Sequence, residues 1–261
     1  MTNAYALPAR KEGTLTRALS PSAVTSYIDC AARWWYDEVS AKQPPTSALA
    51  LGKAVHAAIA LDLEARKNGI GDPHEDDIRQ EFAACWKRET AVAHFRSDED
   101  PDQLAATGAE MSLLFSRQIA PSLKVKAIET PVAGMIGTAR THGVIDIVTE
   151  DGELIDVKTA SKKPTGISAA HSLQLTTYGM LGNSRRARLV TITKAKVPTI
   201  VDQPFTLTPA HTQYASTMFS MVADAIGAGI HLPNRGSNIC GRKYCAHWRK
   251  CQDEHGGHVR E

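Results

Sequence analysis

The chain has little that would place it in or across a membrane, and few cysteines. No window approaches the roughly 20 apolar residues that a membrane-spanning helix needs, and Met1 to Lys11 lacks the apolar core of a secretory signal. Both features argue against membrane-spanning and secreted classes, and a cytoplasmic setting with no membrane partner is expected. In such a reducing setting the five cysteines do not read as a disulfide framework, and a thiolate site gains weight. No internal repeat is visible. No Pro/Gly/Ser-rich linker separates two equal units, so 261 residues read as one domain with a full core. Net charge is only +2, so its distribution matters more than its sum. Between Val157 and Val201 there is no Asp or Glu, while Lys158, Lys162, Lys163, Arg185, Arg186, Arg188, Lys194 and Lys196 all fall there. Such a tract reads as a surface for a polyanion. Conversely, Asp72 to Asp102 carries ten acidic and four basic residues, which reads as a solvated helical face pointing elsewhere.

Against this background one stretch is unusual. Gly143 to Val148 and Leu154 to Lys158 are apolar runs joined by Glu150-Asp151-Gly152, yet they carry Asp146, Asp156 and Lys158. A carboxylate in a poorly hydrated sheet costs several kcal/mol unless it is paired or holds a cation. Alternation puts Leu154, Asp156 and Lys158 on one face of their strand and Ile155 and Val157 on the other. A two-residue turn would aim the two aspartates to opposite faces. A three-residue loop with Gly152 left-handed brings position 146 opposite 156, so a shared site predicts an odd-length loop. The chemistry that uses such a set is phosphodiester hydrolysis on a carboxylate-held divalent cation, with Lys158 stabilising charge. The plainer alternative is an exposed hairpin in which Asp156 and Lys158 simply pair.

Two further motifs bear on the choice. His56 lies in a helical pattern (Leu51, Val55, Ala58, Ile59, Leu63), where an imidazole is either a satisfied core group or a metal ligand. Gln174 and Tyr178 are four residues apart on a helix that Ser168 can cap, so they share a face and can reach a phosphate or a base together.

Taken in order, Gly52-x-x-x-His56, Glu129, Asp146, Asp156-Val157-Lys158 and Gln174-x-x-x-Tyr178 resemble the PD-(D/E)XK nucleases of the RecB-like branch. The resemblance covers most of the chain from Ser20 onward. It implies that His56, Asp146, Asp156 and the Val157 carbonyl hold Mg²⁺ or Mn²⁺. Lys158 is then catalytic, with Asp146, Asp156 and Glu129 in the same centre. Gln174 and Tyr178 contact the nucleic acid, with Lys162 and Lys163 beside them.

The cysteines extend the resemblance to both ends of the chain. Cys30 sits in Asp29-Cys30-Ala31-Ala32-Arg33-Trp34-Trp35-Tyr36, and Cys240, Cys245 and Cys251 cluster near the C-terminus. A subset of RecB-like nucleases, including CRISPR-associated adaptation nucleases and phage exonucleases, binds an iron–sulfur cluster with one N-terminal and three C-terminal cysteines. Four thiolates can hold [4Fe–4S] or zinc, and the resemblance favours the cluster. Trp34, Trp35, Tyr244 and Trp248 are candidates to wall it from solvent. Cys85, in Phe82-Ala83-Ala84-Cys85-Trp86, reads as a buried helical residue.

The expected architecture is an α/β, restriction-endonuclease-like core: a mixed central sheet flanked by helices, with N-terminal helical additions and a C-terminal cysteine-rich tail. Residues 1–18 read as a leader and 19–261 as one nuclease domain, within which Cys30 and 235–251 form a cluster-binding part and 72–120 a helical insertion. A single helix is expected from Ser20-Pro21 to about Val39, another around His56 after Pro44-Pro45, and one or two over 74–120. Strands are expected near 123–133, 135–140, 143–149, 153–159, 188–195 and 199–207, with helices over 168–182 and from Thr208-Pro209 to about Ala228. The expected activity is divalent-metal-dependent hydrolysis of DNA, at strand ends, in a bacterial or phage-infected host cytoplasm. Self-association and recombination or CRISPR partner proteins are compatible with it. Two alternatives stand beside it: a nucleic-acid-binding subunit of an adaptation or recombination complex with partner-dependent cleavage, and a zinc-stapled structural protein.

Overall fold

Where one long N-terminal helix was expected, two stand: α1 (Pro21–Asp29) and α2 (Ala31–Val39). Ser20 caps the first, its hydroxyl accepting from the Ala23 amide. Cys30 separates them in extended conformation (φ −166°, ψ 103°), so the break falls on a cysteine that sequence periodicity runs straight through. These details come from a computed structural model, which describes residues 18–40 and 43–261. Apart from Ala18, the leader expected over 1–18 lies outside the described residues.

The remaining elements are α3 (Ser47–Lys67), α4 (Glu75–Thr90), α5 (Pro101–Gln118), β1 (Val125–Ile136), β2 (Ala139–Thr149), β3 (Leu154–Ala160), α6 (Ala169–Leu181), β4 (Arg186–Thr193), β5 (Ile200–Thr206), α7 (Pro209–Gly227) and α8 (Trp248–His255). The five strands form one mixed sheet in the order β1-β2-β3-β4-β5. β2 and β3 are antiparallel, β3 and β4 parallel, and β4 and β5 antiparallel. No separate strand exists at 135–140. Gly137, at φ +56°, turns the chain with Thr138, so β1 runs on to Ile136 and β2 begins at Ala139. The described residues divide into two compact units. One comprises 18–40, Ala133–His142 and Gln213–Glu261; the other comprises Gln43–Val132 and Gly143–Thr212.

In the second unit the sheet is covered on both faces, which is why β3 and β4 read as nearly unbroken apolar runs. On one face, Leu51, Val55, Ile59 and Leu63 of α3, Ile78, Phe82 and Trp86 of α4 and Met111 and Phe115 of α5 pack over Ile147, Ile155, Val157, Val190 and Ile192. On the other, Leu175 and Tyr178 of α6 cover Ile145, Leu154, Ala187 and Leu189. Cys85 belongs to the first of these cores. Gly108 allows α5 to lie close to its neighbours: a Cβ there would meet the Phe82 ring at 2.4 Å and Leu51 at 2.6 Å. The acid-rich stretch is not simply solvated. Glu75 makes two 2.6 Å bonds to Arg117, and Glu89 pairs with Lys53 at 2.7 Å, tying α4 to α5 and to α3.

In the first unit, a smaller core gathers Cys30, Ala32, Tyr36 and Cys251, with Trp35 and Ile239 against it. Leu19 pairs with the β2 strand through Arg140 and His142, and the Thr138 amide donates to Ser220 Oγ of α7 at 3.0 Å.

Candidate active site

The site is built from α3, the β2–β3 hairpin, Glu129 of β1 and the sheet-facing side of α6, all in the second unit. The Thr149 amide donates to the Glu153 carbonyl at 3.0 Å, closing a three-residue loop of Glu150, Asp151 and Gly152, with Gly152 at φ +81°. The register is Ile147 opposite Ile155 and Val148 opposite Leu154, which brings Asp146 level with Asp156 as an odd loop requires. The paired ladder ends at Ile147. The Val157 amide donates to the Asp146 carboxylate at Oδ2 (2.7 Å), and strict alternation slips at the same point. Ile145 lies in the α6 core, whereas Ile147, two residues on, lies in the α3 core. This local irregularity re-aims a side chain beside the site, as bulges commonly do.

His56 comes from the middle of α3, a helix capped by Thr46 and ending in Arg66 and Lys67. Its Nε2 lies 3.1 Å from the Val157 carbonyl. A carbonyl only accepts, so in the metal-free protein Nε2–H donates and Nδ1 faces outward. Nδ1 lies 3.7 Å from both Glu129 Oε1 and Asp146 Oδ1. A lone pair facing two carboxylates is repulsive, so the position calls for a proton or a metal cation. Burial pulls the His56 pKa down, but Glu129 and Asp146 outweigh it and the net shift is upward. Burial likewise raises Asp146, and the neighbouring Asp156 adds to this while His56 opposes it. Among the described residues, His56, Glu129 and Asp146 form the one group of three or more such ligands whose donor atoms all lie within 4.8 Å of one another. Glu129 joins it by adopting φ +46°, a conformation that non-glycine residues rarely take.

Asp156 is 2% exposed and lies on the other side of Val157. Its Oδ1 accepts from Gln174 Nε2 at 2.9 Å, and Gln174 also donates to the Tyr178 hydroxyl at 3.0 Å. Its Oδ2 has the Lys158 ammonium at 2.6 Å but no hydrogen bond of good geometry. The structure thus forms two groups, His56–Glu129–Asp146 and Asp156–Lys158–Gln174–Tyr178, joined by the backbone of Val157. Asp156, expected as a ligand, lies outside the three-residue group, and Glu129 lies inside it. The donor set suits a hard divalent cation. His56, Glu129 and Asp146 would hold it, with the Val157 carbonyl beside them, 3.1 Å from His56 Nε2.

Burial pushes the Tyr178 phenol up to about 12, so it stays protonated near neutrality. Gly143 makes room for it, since a Cβ there would come within 2.5 Å of the ring. His171 is a residue that sequence reasoning missed. It precedes Gln174 by three positions and Tyr178 by seven, which puts it on their side of α6. Burial lowers its pKa, and Lys158 lowers it further. That i, i+3, i+7 spacing was the available signal. Lys162 and Lys163 are exposed between β3 and α6. Arg186 and Arg188 are engaged elsewhere: Arg186 pairs with Asp151 at 2.9 Å, and Arg188 with Glu153 and, at 3.2 Å, with Asp202. The acid-free tract is therefore only partly a free cationic surface.

A family model of the PD-(D/E)XK nuclease superfamily matches residues 18–252. The chain belongs to the PD-(D/E)XK nuclease superfamily. Nucleases of this superfamily use divalent metals. No curated protein matches the chain. Among solved structures it is similar to one from Eubacterium rectale named "Putative exonuclease", with a TM-score of 0.57, 13% identity, and coverage of 99% of this chain and 93% of that one. It also matches the crystal structure of SSO0001, with a TM-score of 0.37 and 15% identity over 88% of this chain and 96% of that one. At such identities the first likeness concerns the fold. No helix among the described residues is long and apolar enough to cross a membrane.

In the first unit, Cys30, Cys240, Cys245 and Cys251 all line one pocket, together with Arg33, Tyr36 and Trp248. None of the four is in a disulfide. Burial raises Cys245 and Cys251, so thiolates there need a cation. Four thiolates lining one pocket can hold zinc or an iron–sulfur cluster. Of the aromatics expected to wall it, Trp248 lines the pocket. Trp34 packs against Tyr27, Trp35 stacks on His231 at 4.3 Å, and Tyr244 is 61% exposed.

Proposed function

We propose that this nuclease is a Mg²⁺- or Mn²⁺-dependent DNA exonuclease of the RecB-like branch, with a [4Fe–4S] cluster on Cys30, Cys240, Cys245 and Cys251. The observation that carries the reading is the arrangement of His56, Glu129 and Asp146 on one side of Val157 and the Asp156–Lys158 pair on the other. A divalent cation in that donor set supplies Lewis acidity at a phosphoryl oxygen and lowers the pKa of water. His56 and Asp146 supply its ligands, and Glu129 closes the group from β1. The Asp146 side chain also holds the Val157 amide, which fixes the Val157 carbonyl toward His56. Lys158 stands beside Asp156 with an ammonium able to stabilise charge that builds on the phosphoryl group. Gln174 holds the Asp156 carboxylate and the Tyr178 hydroxyl in one network, which orients both toward the nucleic acid. Exposed Lys162 and Lys163 add backbone contacts.

The test is a time course on end-labelled single- and double-stranded DNA with Mg²⁺, Mn²⁺ or chelator. Progressive loss from an end, dependent on metal and abolished by Lys158→Ala, is the expected result. Full cleavage by Lys158→Ala, or cleavage indifferent to chelator, would overturn the assignment. Roles in DNA repair or recombination, a phage or bacterial cytoplasmic setting and self-association belong to the same reading.

A further inference from the structure

The first unit carries a second concentration of basic and aromatic groups, separate from the carboxylate site. Arg235 to Cys251 contains no Asp or Glu. Within it Arg242, Lys243, Tyr244, Arg249 and Lys250 are all exposed. The cations are arranged over rings. The Arg242 and Arg249 guanidinium groups lie 4.8 and 5.1 Å from the Trp248 ring centroid, and Lys243 Nζ lies 5.6 Å from that of Tyr244. Stacking of this kind limits the freedom of long side chains, so less entropy is lost when they meet a phosphate. The backbone is held as well: the Tyr244 and Cys245 amides both donate to the Gly241 carbonyl, and the Arg242 amide donates to the Arg260 carbonyl at 2.8 Å. Acids border the patch at Glu254, 4.0 Å from Lys250, and at Glu261, 3.6 Å from Arg242.

Tyr244 decides what the patch fits. A solvent-facing aromatic ring among cations offers a stacking platform plus charge for a backbone, the combination that binds unpaired nucleotides. A duplex keeps its base faces stacked inside and cannot use the ring in this way. An acidic protein or an anionic membrane surface would use the charges without requiring the ring.

We propose that Arg242, Lys243, Tyr244, Arg249 and Lys250 form a binding surface for single-stranded DNA, with a base stacked on Tyr244 and phosphates on the surrounding cations. The proposal shares with the nuclease reading only the premise that DNA is the partner. The experiment is fluorescence anisotropy of the full chain with labelled oligothymidylate in chelator, where no metal-dependent cleavage intervenes. Tyr244→Ala is expected to weaken binding roughly tenfold or more, and Tyr244→Phe to retain it. The double variant Lys243→Glu, Arg249→Glu is expected to weaken binding and to flatten its salt dependence by about 0.7 in log–log slope for each phosphate that is no longer neutralised. Unchanged binding by Tyr244→Ala, or an equal loss on a blunt duplex, would overturn the proposal. So would capture of phosphatidylglycerol vesicles by these same residues without oligothymidylate binding. The nuclease reading fails independently, if Lys158→Ala still cleaves.

Discussion

The two candidate metal centres are built from opposite materials. The carboxylate–histidine site stands on regular elements, namely α3, β1, β2, β3 and α6, whose caps, loop length and alternation position most of its side chains from nearby sequence. The cysteine pocket is assembled from a one-residue break between two short helices and a loop-rich segment more than 200 positions later. The lesson is one of division of labour. A site on a packed sheet can lose its ion and keep its scaffold, whereas a pocket closed mainly by its own ligands loses its scaffold with the ion.

Mutation and metal removal should act differently on the two centres. The largest effect is expected from Lys158→Ala, which should lower cleavage by roughly 10²–10³-fold or more and also lower the melting temperature, since buried Asp156 then loses the ammonium beside its Oδ2. Next, Cys30→Ala should lower the melting temperature and abolish visible absorbance, whereas chelation of the divalent cation should abolish cleavage with a much smaller thermal shift. Equal thermal shifts in the two treatments would erase the distinction drawn above. Gly143→Ala should cut activity through displacement of Tyr178, because the new Cβ would come within 2.5 Å of its ring. Kinetics of that variant beside Tyr178→Phe would show whether the ring's position or its hydroxyl matters.

A pH dependence follows from the same site. Asp146 and His56 both have raised pKa values in the folded, metal-free protein. The folded state therefore binds protons more tightly than the unfolded chain. The contribution of these groups is favourable at low pH and is lost as pH rises through their folded pKa values toward neutrality. Divalent cation displaces those protons, so its affinity should rise with pH over the same window. Melting with and without Mg²⁺, for wild type and Asp146→Asn, checks the sign: the metal-induced shift should grow with pH in the wild type and less steeply in the variant, which keeps only His56 of the two groups. The smallest effect is reserved for Gly52→Ala. A Cβ there meets nothing nearer than Thr159 Oγ1 at 3.7 Å, so the change should stabilise α3 by up to about 1 kcal/mol, and a large loss would show that the close approach of α3 to β3 is tighter than it looks.

Much of the carboxylate site was legible from residue order. Alternation placed Asp156 with Lys158 and helical spacing joined Gln174 to Tyr178; the odd loop at Gly152 stands, but the slip in alternation at Asp146 sends the two aspartates to opposite sides of Val157 rather than together. The unusual backbone of Glu129 was not legible, because a left-handed non-glycine residue has no local signal and is held by its surroundings. Nor were the pairings of Arg186 and Arg188, whose partners Asp151, Glu153 and Asp202 lie outside the acid-free tract and are brought to it by neighbouring strands.

Sequence alone indicated which elements bear the candidate site residues and where most helices begin, because caps, turn glycines and periodicity act over a few residues. Tertiary structure alone decided that Cys30 interrupts a helix, that Ile145 and Ile147 bury in different cores, and that Glu129 rather than Asp156 stands closest to His56 and Asp146. Those outcomes depend on contacts between segments distant along the chain, and their energies come from packing and charge across elements, which no local pattern encodes.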